Sequence, residues 1–175
     1  MLNEQGYPSE AEKLQQQVLN TRNRILGSEH SDTIRAMAYL ATTFADLGKY
    51  GEAEKLGKQV LNARNRILGA EHLDTIAAMA SLAISYDHLG NYNHAEKLRI
   101  QVLDARNKIL GSQHPDTITA LGNLAITYGS LGKYIEAEKL GKQVFHTRNR
   151  ILGSEHRDTI VSMGNLAAAY GHMGK

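Results

Sequence analysis

The sequence predicts an all-α repeat protein in which four copies of one helical unit stack side by side. The pattern Gly-x-x-His-x-Asp-Thr-Ile begins at Gly27, Gly69, Gly111 and Gly153, and each copy starts 42 residues after the last. Apolar residues between these copies recur at spacings of three, four and seven, which is the period of an amphipathic helix. A fixed period of this size is typical of repeats that bury their apolar faces only against their neighbours.

Each unit begins with a helix that we call helix B, which in the second unit is predicted over residues 50–68. Its apolar stripe consists of Ala53, Leu56, Val60 and Ile67. Gly69 follows in the place where a left-handed C′ residue would end the helix. Arg64 and Arg66 lie in the last turns, where cations oppose the negative end of the helix dipole.

The second helix of each unit, helix A, is predicted to begin near Asp74 and to end at Gly90. Its apolar stripe consists of Ile76, Met79, Leu82, Ala83, Tyr86 and Leu89. In the third unit, Pro115 and Asp116 are residues favoured at the start of a helix. Eight helices are therefore expected in alternating order B and A, with connections short enough to make neighbouring helices antiparallel.

Composition excludes several classes of protein. The 20 basic and 18 acidic residues give a formal charge of only +2, which argues against a nucleic-acid or membrane-surface partner. Cysteine is absent, so neither a disulfide framework nor a thiolate metal site is possible. Residues 1–20 contain no apolar run typical of a signal peptide, and no segment is long and apolar enough to span a bilayer. We therefore expect a soluble, cytoplasmic protein.

Large, small and aromatic residues recur at matching positions of the units and resemble the tetratricopeptide repeat. The matching positions are Leu40, Ala41, Phe44 and Ala53; Leu82, Ala83, Tyr86, Gly90, Tyr92 and Ala95; Leu124, Ala125, Tyr128 and Ala137; and Leu166, Ala167 and Tyr170. The 42-residue period, with Leu-Gly-x-x-His-x-Asp-Thr and Glu-Ala-Glu-Lys-Leu, is similar to the kinesin-light-chain-like subclass and to repeat arrays of fungal and bacterial NTPase sensor proteins.

This resemblance implies a right-handed α-solenoid of antiparallel helix pairs, in one domain covering residues 1–175. Its units are 7–48, 49–90, 91–132 and 133–174. The resemblance also implies a scaffold that binds a protein or peptide through a concave face lined by helix A, within a larger sensor or adaptor protein.

The candidate binding residues are helix A positions that map to this concave face, most of which differ between the units. They are Arg35, Tyr39, Thr42, Asp46, Ala77, Ser81, Ile84, Asp87, His88, Thr119, Asn123, Ile126, Ser130, Val161, Asn165, Ala168 and His172. Neutral drift on a solvent-exposed face is one interpretation. The other is a groove for a peptide, in which Asn123 and Asn165 offer amide donors and acceptors to its backbone. Because helix A carries few charges, a clamp for a terminal carboxylate is not expected.

Residues that recur in every unit are better explained by structure than by a ligand. His30, His72, His114 and His156 are expected to cap helix A, since equivalent positions lie too far apart to share a metal ion. Arg22, Arg64, Arg106 and Arg148 are expected to pair with, or face the dipole near, Asp32, Asp74, Asp116 and Asp158. The paired glycines Gly122 with Gly129 and Gly164 with Gly171 indicate either close helix packing or an exposed groove floor.

No motif for a catalytic, cofactor-binding or metal-binding role is found, so we expect neither an enzyme nor a cofactor. The chain opens with an unpaired helix B and closes with a helix A whose Met163, Leu166 and Tyr170 lack a following helix. Asn3, Glu4, Gln5 and Gly6 resemble the tail of a missing helix A, which suggests a piece of a longer array. The same ends suggest head-to-tail self-association. A structural spacer or self-assembling element is therefore the alternative to a peptide-binding scaffold.

Overall fold

A computed structural model describes the backbone of residues 6–174 and the side chains of residues 10–174, and this part of the chain contains eight α-helices. They are α1 (Gly6–Leu26), α2 (Ser31–Asp46), α3 (Tyr50–Leu68), α4 (Leu73–His88), α5 (Tyr92–Leu110), α6 (Pro115–Ser130), α7 (Tyr134–Leu152) and α8 (Arg157–His172). Odd-numbered helices are the predicted B helices and even-numbered helices the A helices. The all-α class, the number of helices and their order are confirmed. The interpretation of Asn3, Glu4 and Gln5 lies outside the described residues.

The predicted helix boundaries are confirmed, with one difference at the glycine that follows helix B. Gly69 has φ 86° and ψ 165°, and its N–H donates a hydrogen bond to the carbonyl of Asn65. The positive φ agrees with the prediction, but this ψ is far from the left-handed helical value of about 47°. The chain therefore leaves the helix in an extended conformation that is nearly exclusive to glycine.

The helices form two compact units, each of which contains two of the 42-residue repeats. The first unit, Met1–Gly90, contains α1 to α4, and the second, Asn91–Lys175, contains α5 to α8. Within each unit every helix packs against the next one along the chain. The A helices also contact each other, α2 with α4 and α6 with α8. The single domain of residues 1–175 stays a prediction.

Interlocking apolar stripes form the core of the first unit. Ile34 and Met37 of α2, Val60 of α3 and Ala78 of α4 make one buried cluster, with Leu56 packed against it. The five predicted helix A positions from Ile76 to Tyr86 are buried, as are Ala53 and Val60 of helix B. Burying such side chains contributes about 25 cal/mol per Å² of apolar surface. The predicted faces of both helices are thus the faces that pack.

The prediction is wrong, however, for the last residue of each stripe, which is exposed rather than buried. Ile67 is 49% exposed and Leu89 is 39% exposed. Helix α3 has 19 residues whereas α2 and α4 have 16 each, so its last turn, which carries Ile67, extends past its partners. Leu89 is the C-cap residue of α4 and no longer follows the helical period.

One threonine in each repeat is buried without a hydrogen-bond partner for its hydroxyl among the described residues. The four are Thr33, Thr75, Thr117 and Thr159 of the Asp-Thr-Ile motif. A buried hydroxyl without a partner generally costs stability.

Candidate partner-binding surface

The residues predicted to bind a partner lie on solvent-accessible parts of the A helices. We call the seventeen predicted positions the inner face. Asp87 and Asn123 are half-buried and the others are exposed. Exposure keeps these side chains available to a partner.

In the first unit, part of the inner face surrounds a cleft of about 310 Å³ between α2 and α4. The inner-face residues that line it are Tyr39, Thr42, Asp46, Ala77, Ser81 and Ile84. Its floor includes Ala53 and Gly57 of α3. The lining is mainly apolar, and hydroxyl and carboxylate groups lie among the apolar side chains.

An equivalent cleft of about 350 Å³ lies between α6 and α8 in the second unit. Its inner-face residues are Ile126, Ser130, Asn165, Ala168 and His172, and its floor includes Ala137 and Gly141 of α7. Several lining positions are matched in the two clefts, which lie two repeats apart in sequence. Because the side chains at several of these positions differ, the two clefts have the same backbone arrangement but different chemical groups.

Small residues on the intervening B helices bring the walls of the clefts close to their floors. A Cβ atom on Gly57 would lie 3.4 Å from Cδ1 of Leu82, and a Cβ on Gly141 would lie 3.3 Å from Cδ1 of Leu166. The same position of α5 is Arg99, a largely buried cation that donates a hydrogen bond to the carbonyl of Asn123. The residue at this position of helix B differs between the repeats: it is Gln15, Gly57, Arg99 and Gly141 in turn. A comparison of the B helices would have revealed this difference, but the sequence analysis compared only the A helices.

Six inner-face residues line neither of these two clefts: Arg35, Asp87, His88, Thr119, Asn123 and Val161. Arg35 pairs with Asp32 at 2.6 Å. The His88 ring stacks on Tyr50 with a centroid distance of 4.0 Å, and His172 stacks on Tyr134 at 5.2 Å while also lining the second cleft. Thr119 lines a smaller cleft of about 260 Å³ near Pro115, and Val161 is exposed on α8. The inner face is therefore not one uniform surface.

Charge on the inner face is sparse, as predicted for helix A. The cation of Arg35 is neutralised by Asp32, whereas the carboxylate of Asp46 has no ion-pair partner among the described residues. The first cleft is therefore lined by one carboxylate, that of Asp46, and by one cation, that of Arg64. In the second unit, the largely buried cation of Arg99 on helix B bonds the backbone carbonyl of Asn123 on α6.

The recurrent histidines and arginines have the structural roles that were predicted. Each histidine is the N-cap of an A helix, and its Nδ1 accepts a hydrogen bond from the N–H two residues later, as in His72 with Asp74 at 3.1 Å. Each arginine donates from Nη1 to the carbonyl of the motif aspartate, as in Arg64 with Asp74 at 2.7 Å. The bond to the carbonyl, rather than to the carboxylate, is a correction to the simple ion pair.

The paired glycines of α6 and α8 do not require close packing. A Cβ on Gly122 would be in ordinary contact with Val144, and a Cβ on Gly129, Gly164 or Gly171 would meet no atom within 4 Å. Gly129 lines the second cleft. The tightly packed glycines are instead Gly57 and Gly141 on helix B, which the comparison of A helices missed.

Lysines cover the aromatic residues of the A helices and pair with glutamates. Lys58 lies 2.6 Å from Glu54, as the i, i+4 spacing suggested, and 5.6 Å from the centre of the Tyr86 ring. The corresponding ring–lysine pairs are Phe44 with Lys49, Tyr128 with Lys133 and Tyr170 with Lys142. Hydrogen bonds to glutamate raise the pKa of Lys58, Lys133 and Lys142 above the ordinary value. These cations are thus engaged within the protein.

Comparison with solved structures defines the class of protein. Two crystal structures of a Podosopora anserina putative kinesin light chain with nearly identical TPR-like repeats match at TM-scores of 0.87 and 0.86, each with 32% identity. They cover 97% of this chain, and it covers 80% and 81% of theirs. BtubC (BKLC) from P. vanneervenii shares the fold, with a TM-score of 0.84 and 19% identity, over 97% of this chain and 68% of that one. The chain is a helical repeat protein of the TPR-like solenoid class.

The tetratricopeptide repeat family model matches residues 1–66, 36–108 and 82–149. The chain therefore belongs to the tetratricopeptide repeat family, and its solved neighbours are kinesin-light-chain-like, as the 42-residue period predicted. No curated protein matches the sequence. Within the described residues, no helix has both the length and the apolar character that a membrane crossing demands. Membership makes the chain a repeat scaffold of a kind that generally binds proteins.

Proposed function

We propose that this chain binds a peptide segment of another protein along the inner faces of its A helices and has no catalytic role of its own. The observation that carries the proposal is the pair of equivalent clefts, each with a floor of glycine and alanine and walls of exposed, repeat-specific side chains. Mainly apolar clefts with a few polar groups are typical of binding sites. Drift on a featureless surface would not explain why clefts with the same small residues at their floors lie in both units.

The side chains suggest what such a segment contains. The first cleft has an apolar wall at Ile84 and an unpaired carboxylate at Asp46 on its rim. A peptide with an apolar side chain next to a lysine or arginine could pack against Ile84 and pair with Asp46. In the second cleft, the amide of Asn165 is exposed and offers donors and an acceptor to a peptide backbone. Asn123 is a weaker candidate than the sequence suggested, since it is half-buried.

The proposal extends to the biological setting. We propose a cytoplasmic repeat region of a larger sensor or adaptor protein, with a protein partner rather than nucleic acid or membrane. The nearly balanced charge and the absence of cysteine support this setting.

Peptides selected on the chain from a displayed library of random sequences test the proposal. Three exposed isoleucines permit the same substitution at different places: Ile84→Glu in the first cleft, Ile126→Glu in the second, and Ile135→Glu as the control on α7, where the side chain is 75% exposed. A selected peptide should lose roughly tenfold or more in affinity with one cleft variant and nothing with the control. Equal binding to all three variants would refute the proposed site.

Asparagine variants give a finer test of the second cleft. Asn165→Ala should weaken a peptide that Ile126→Glu also weakens, because it removes one amide that bonds the backbone. Asn62→Ala, at an exposed position of helix B, is the matched control. If both substitutions leave affinity unchanged, the amide takes no part in binding.

A structural role, as a spacer or self-assembling element, is the second candidate function. Such an element would tolerate Ile84→Glu, Ile126→Glu and Asn165→Ala without loss of function.

A further inference from the structure

The first cleft is lined by one acidic and one basic side chain, and neither has an ion-pair partner among the described residues. The acidic side chain is that of Asp46, which is exposed at the end of α2, and the basic one is that of Arg64, which is half-buried on α3. Nη1 of Arg64 donates to the backbone carbonyl of Asp74 at 2.7 Å. Because a guanidinium has five N–H donors, Arg64 keeps donors for a ligand.

The two charged groups lie at opposite ends of the cleft. Helix α2 ends at Asp46 and α3 begins at Tyr50, so Asp46 lies beside the start of α3. Arg64 follows Tyr50 by 14 residues of α3, which is about 20 Å along the helix axis at roughly 1.5 Å per residue. The floor between the two ends includes Ala53 and Gly57 of α3. The first cleft is therefore a groove with a carboxylate at one end and a guanidinium at the other.

Large exposed side chains line the groove between its charged ends. Tyr39 of α2 is 60% exposed and Ile84 of α4 is 43% exposed, and both line the cleft. Apolar surface that is accessible within a groove is typical of a ligand-binding site. From one end to the other, the first cleft thus offers a carboxylate, apolar and aromatic surface, and a guanidinium.

The second cleft does not have this arrangement of charges. Ser130 occupies the position equivalent to Asp46. Arg148, the equivalent of Arg64, lines the smaller cleft near Pro115 instead of the second cleft. No aspartate, glutamate, lysine or arginine is among the residues that line the second cleft. The two clefts therefore match ligands of different charge.

We propose that the first cleft binds an extended peptide that carries a lysine or arginine at the Asp46 end and an aspartate or glutamate at the Arg64 end, with apolar residues between them. An extended chain rises about 3.3 Å per residue, so 20 Å corresponds to roughly six residues. Because the charged side chains reach towards each other, the expected separation is roughly four to six residues. The inference rests on the proposed function and adds to it the charge pattern and the spacing of the ligand.

The chemistry of arginine favours a carboxylate at its end of the groove. While Nη1 of Arg64 bonds the carbonyl of Asp74, its Nε and Nη2 groups can donate to both oxygens of one carboxylate. The side chain is half-buried, so salt screens this pair less than it screens an exposed one. At the other end, the exposed carboxylate of Asp46 attracts a cation and disfavours an acidic residue.

Peptides selected from the displayed random library test the inference when they are sorted by cleft. Those that lose affinity with Ile84→Glu should share a basic and an acidic residue roughly four to six positions apart. Those that lose affinity with Ile126→Glu should show no such pair. First-cleft peptides without an acidic residue would overturn the inference and leave the proposed function standing. If no selected peptide responds to either substitution, the proposed function fails and the inference fails with it.

Neutral variants of the two charged residues locate the contacts. With a first-cleft peptide at low salt, Asp46→Asn and Arg64→Gln should each lower affinity roughly tenfold or more. Arg22→Gln is the matched control, since Arg22 makes the same bond, to the carbonyl of Asp32, and lines none of the three clefts. Asp104→Asn removes an exposed carboxylate of α5 and controls for net charge. Equal losses in the controls would contradict the assigned contacts.

A double-mutant cycle distinguishes direct contact with Arg64 from a change in the fold. Replacing the acidic residue of the peptide with its amide should weaken binding to the unmodified chain roughly tenfold. The same replacement should leave binding to Arg64→Gln nearly unchanged, because the partner charge is already absent. Binding to Asp46→Asn should weaken as much as binding to the unmodified chain.

Isothermal titration calorimetry measures each affinity in this cycle. The peptides are acetylated and amidated, so their ends carry no charge and only side chains can supply the two charged groups. Equal losses with the unmodified chain and with Arg64→Gln would show that the peptide carboxylate binds elsewhere, and would overturn the inference.

Discussion

The imidazole Nδ1 of His72 accepts a hydrogen bond from the backbone N–H of Asp74, with 3.1 Å between the two nitrogen atoms. His72 is the N-cap of α4, and His30, His114 and His156 make the same contact at the other A helices. The first N–H groups of a helix have no acceptor within the helix, so a side-chain acceptor at the N-cap stabilises its start. Capping thus explains why histidine recurs without any bound ligand.

We predict that His72→Ala lowers the free energy of unfolding by about 0.5–2 kcal/mol, because the N–H of Asp74 loses its acceptor. His72→Asn should restore most of the loss, since asparagine is a favoured N-cap residue. Urea denaturation followed by circular dichroism measures both variants. An asparagine variant as unstable as the alanine variant would show that capping is not the role of this residue.

The buried threonines make a second prediction. Replacing Thr75 with valine should leave stability unchanged or raise it by up to about 2 kcal/mol, because the hydroxyl is buried without a partner. The control is Thr127→Val, where the hydroxyl donates to the carbonyl of Asn123 at 3.3 Å and its loss should cost about 1 kcal/mol. Thermal or urea unfolding compares the two. A clear loss at Thr75 would mean that its hydroxyl has a partner after all.

Glycine substitutions in the helices test packing against propensity. Gly129→Ala should raise stability by up to about 1 kcal/mol, because a Cβ there meets no atom within 4 Å and alanine is the better helix former. Gly141→Ala should gain less or lose stability, because its Cβ would approach Leu166 at 3.3 Å. Comparable gains at both positions in urea unfolding would show that Leu166 moves aside freely.

Two leucines of one predicted stripe should behave differently. Leu82→Ala should cost about 2–5 kcal/mol because Leu82 is almost fully buried beside Gly57. Leu89→Ala should cost well under that, because the C-cap leucine is substantially exposed. Urea midpoints of the two variants measure the difference. Equal losses of stability would show that Leu89 is part of the core, as Leu82 is.

Much of the fold could be read from the sequence because its signals are local. The apolar period, the capping histidine with its aspartate, and the glycine after helix B each act within a few residues, so they predict where a helix starts and stops. Positive φ at Gly69 follows from such a signal, and the helix boundaries agree with it. The family resemblance added the solenoid arrangement of the helix pairs, and the solved relatives share the fold.

The candidate surface was predictable only in part. Variation between repeats selected exposed positions on the A helices, such as Tyr39, Ser81 and Asn165, because a core position tolerates less variation in size. The same comparison overlooked Gly57 and Arg99, since the cleft floors belong to the B helices.

By itself, the sequence determined the helices, their order and the stripe that each of them buries, since these depend on neighbours within one or two helical turns. Only the tertiary structure decided that Ile67 stays in solvent, that the glycines in tight contact are Gly57 and Gly141, and that Arg99 reaches the backbone of α6. The physical reason is that burial and close approach depend on how far a neighbouring helix extends and what it presents there. The period of a single helix carries no information about either.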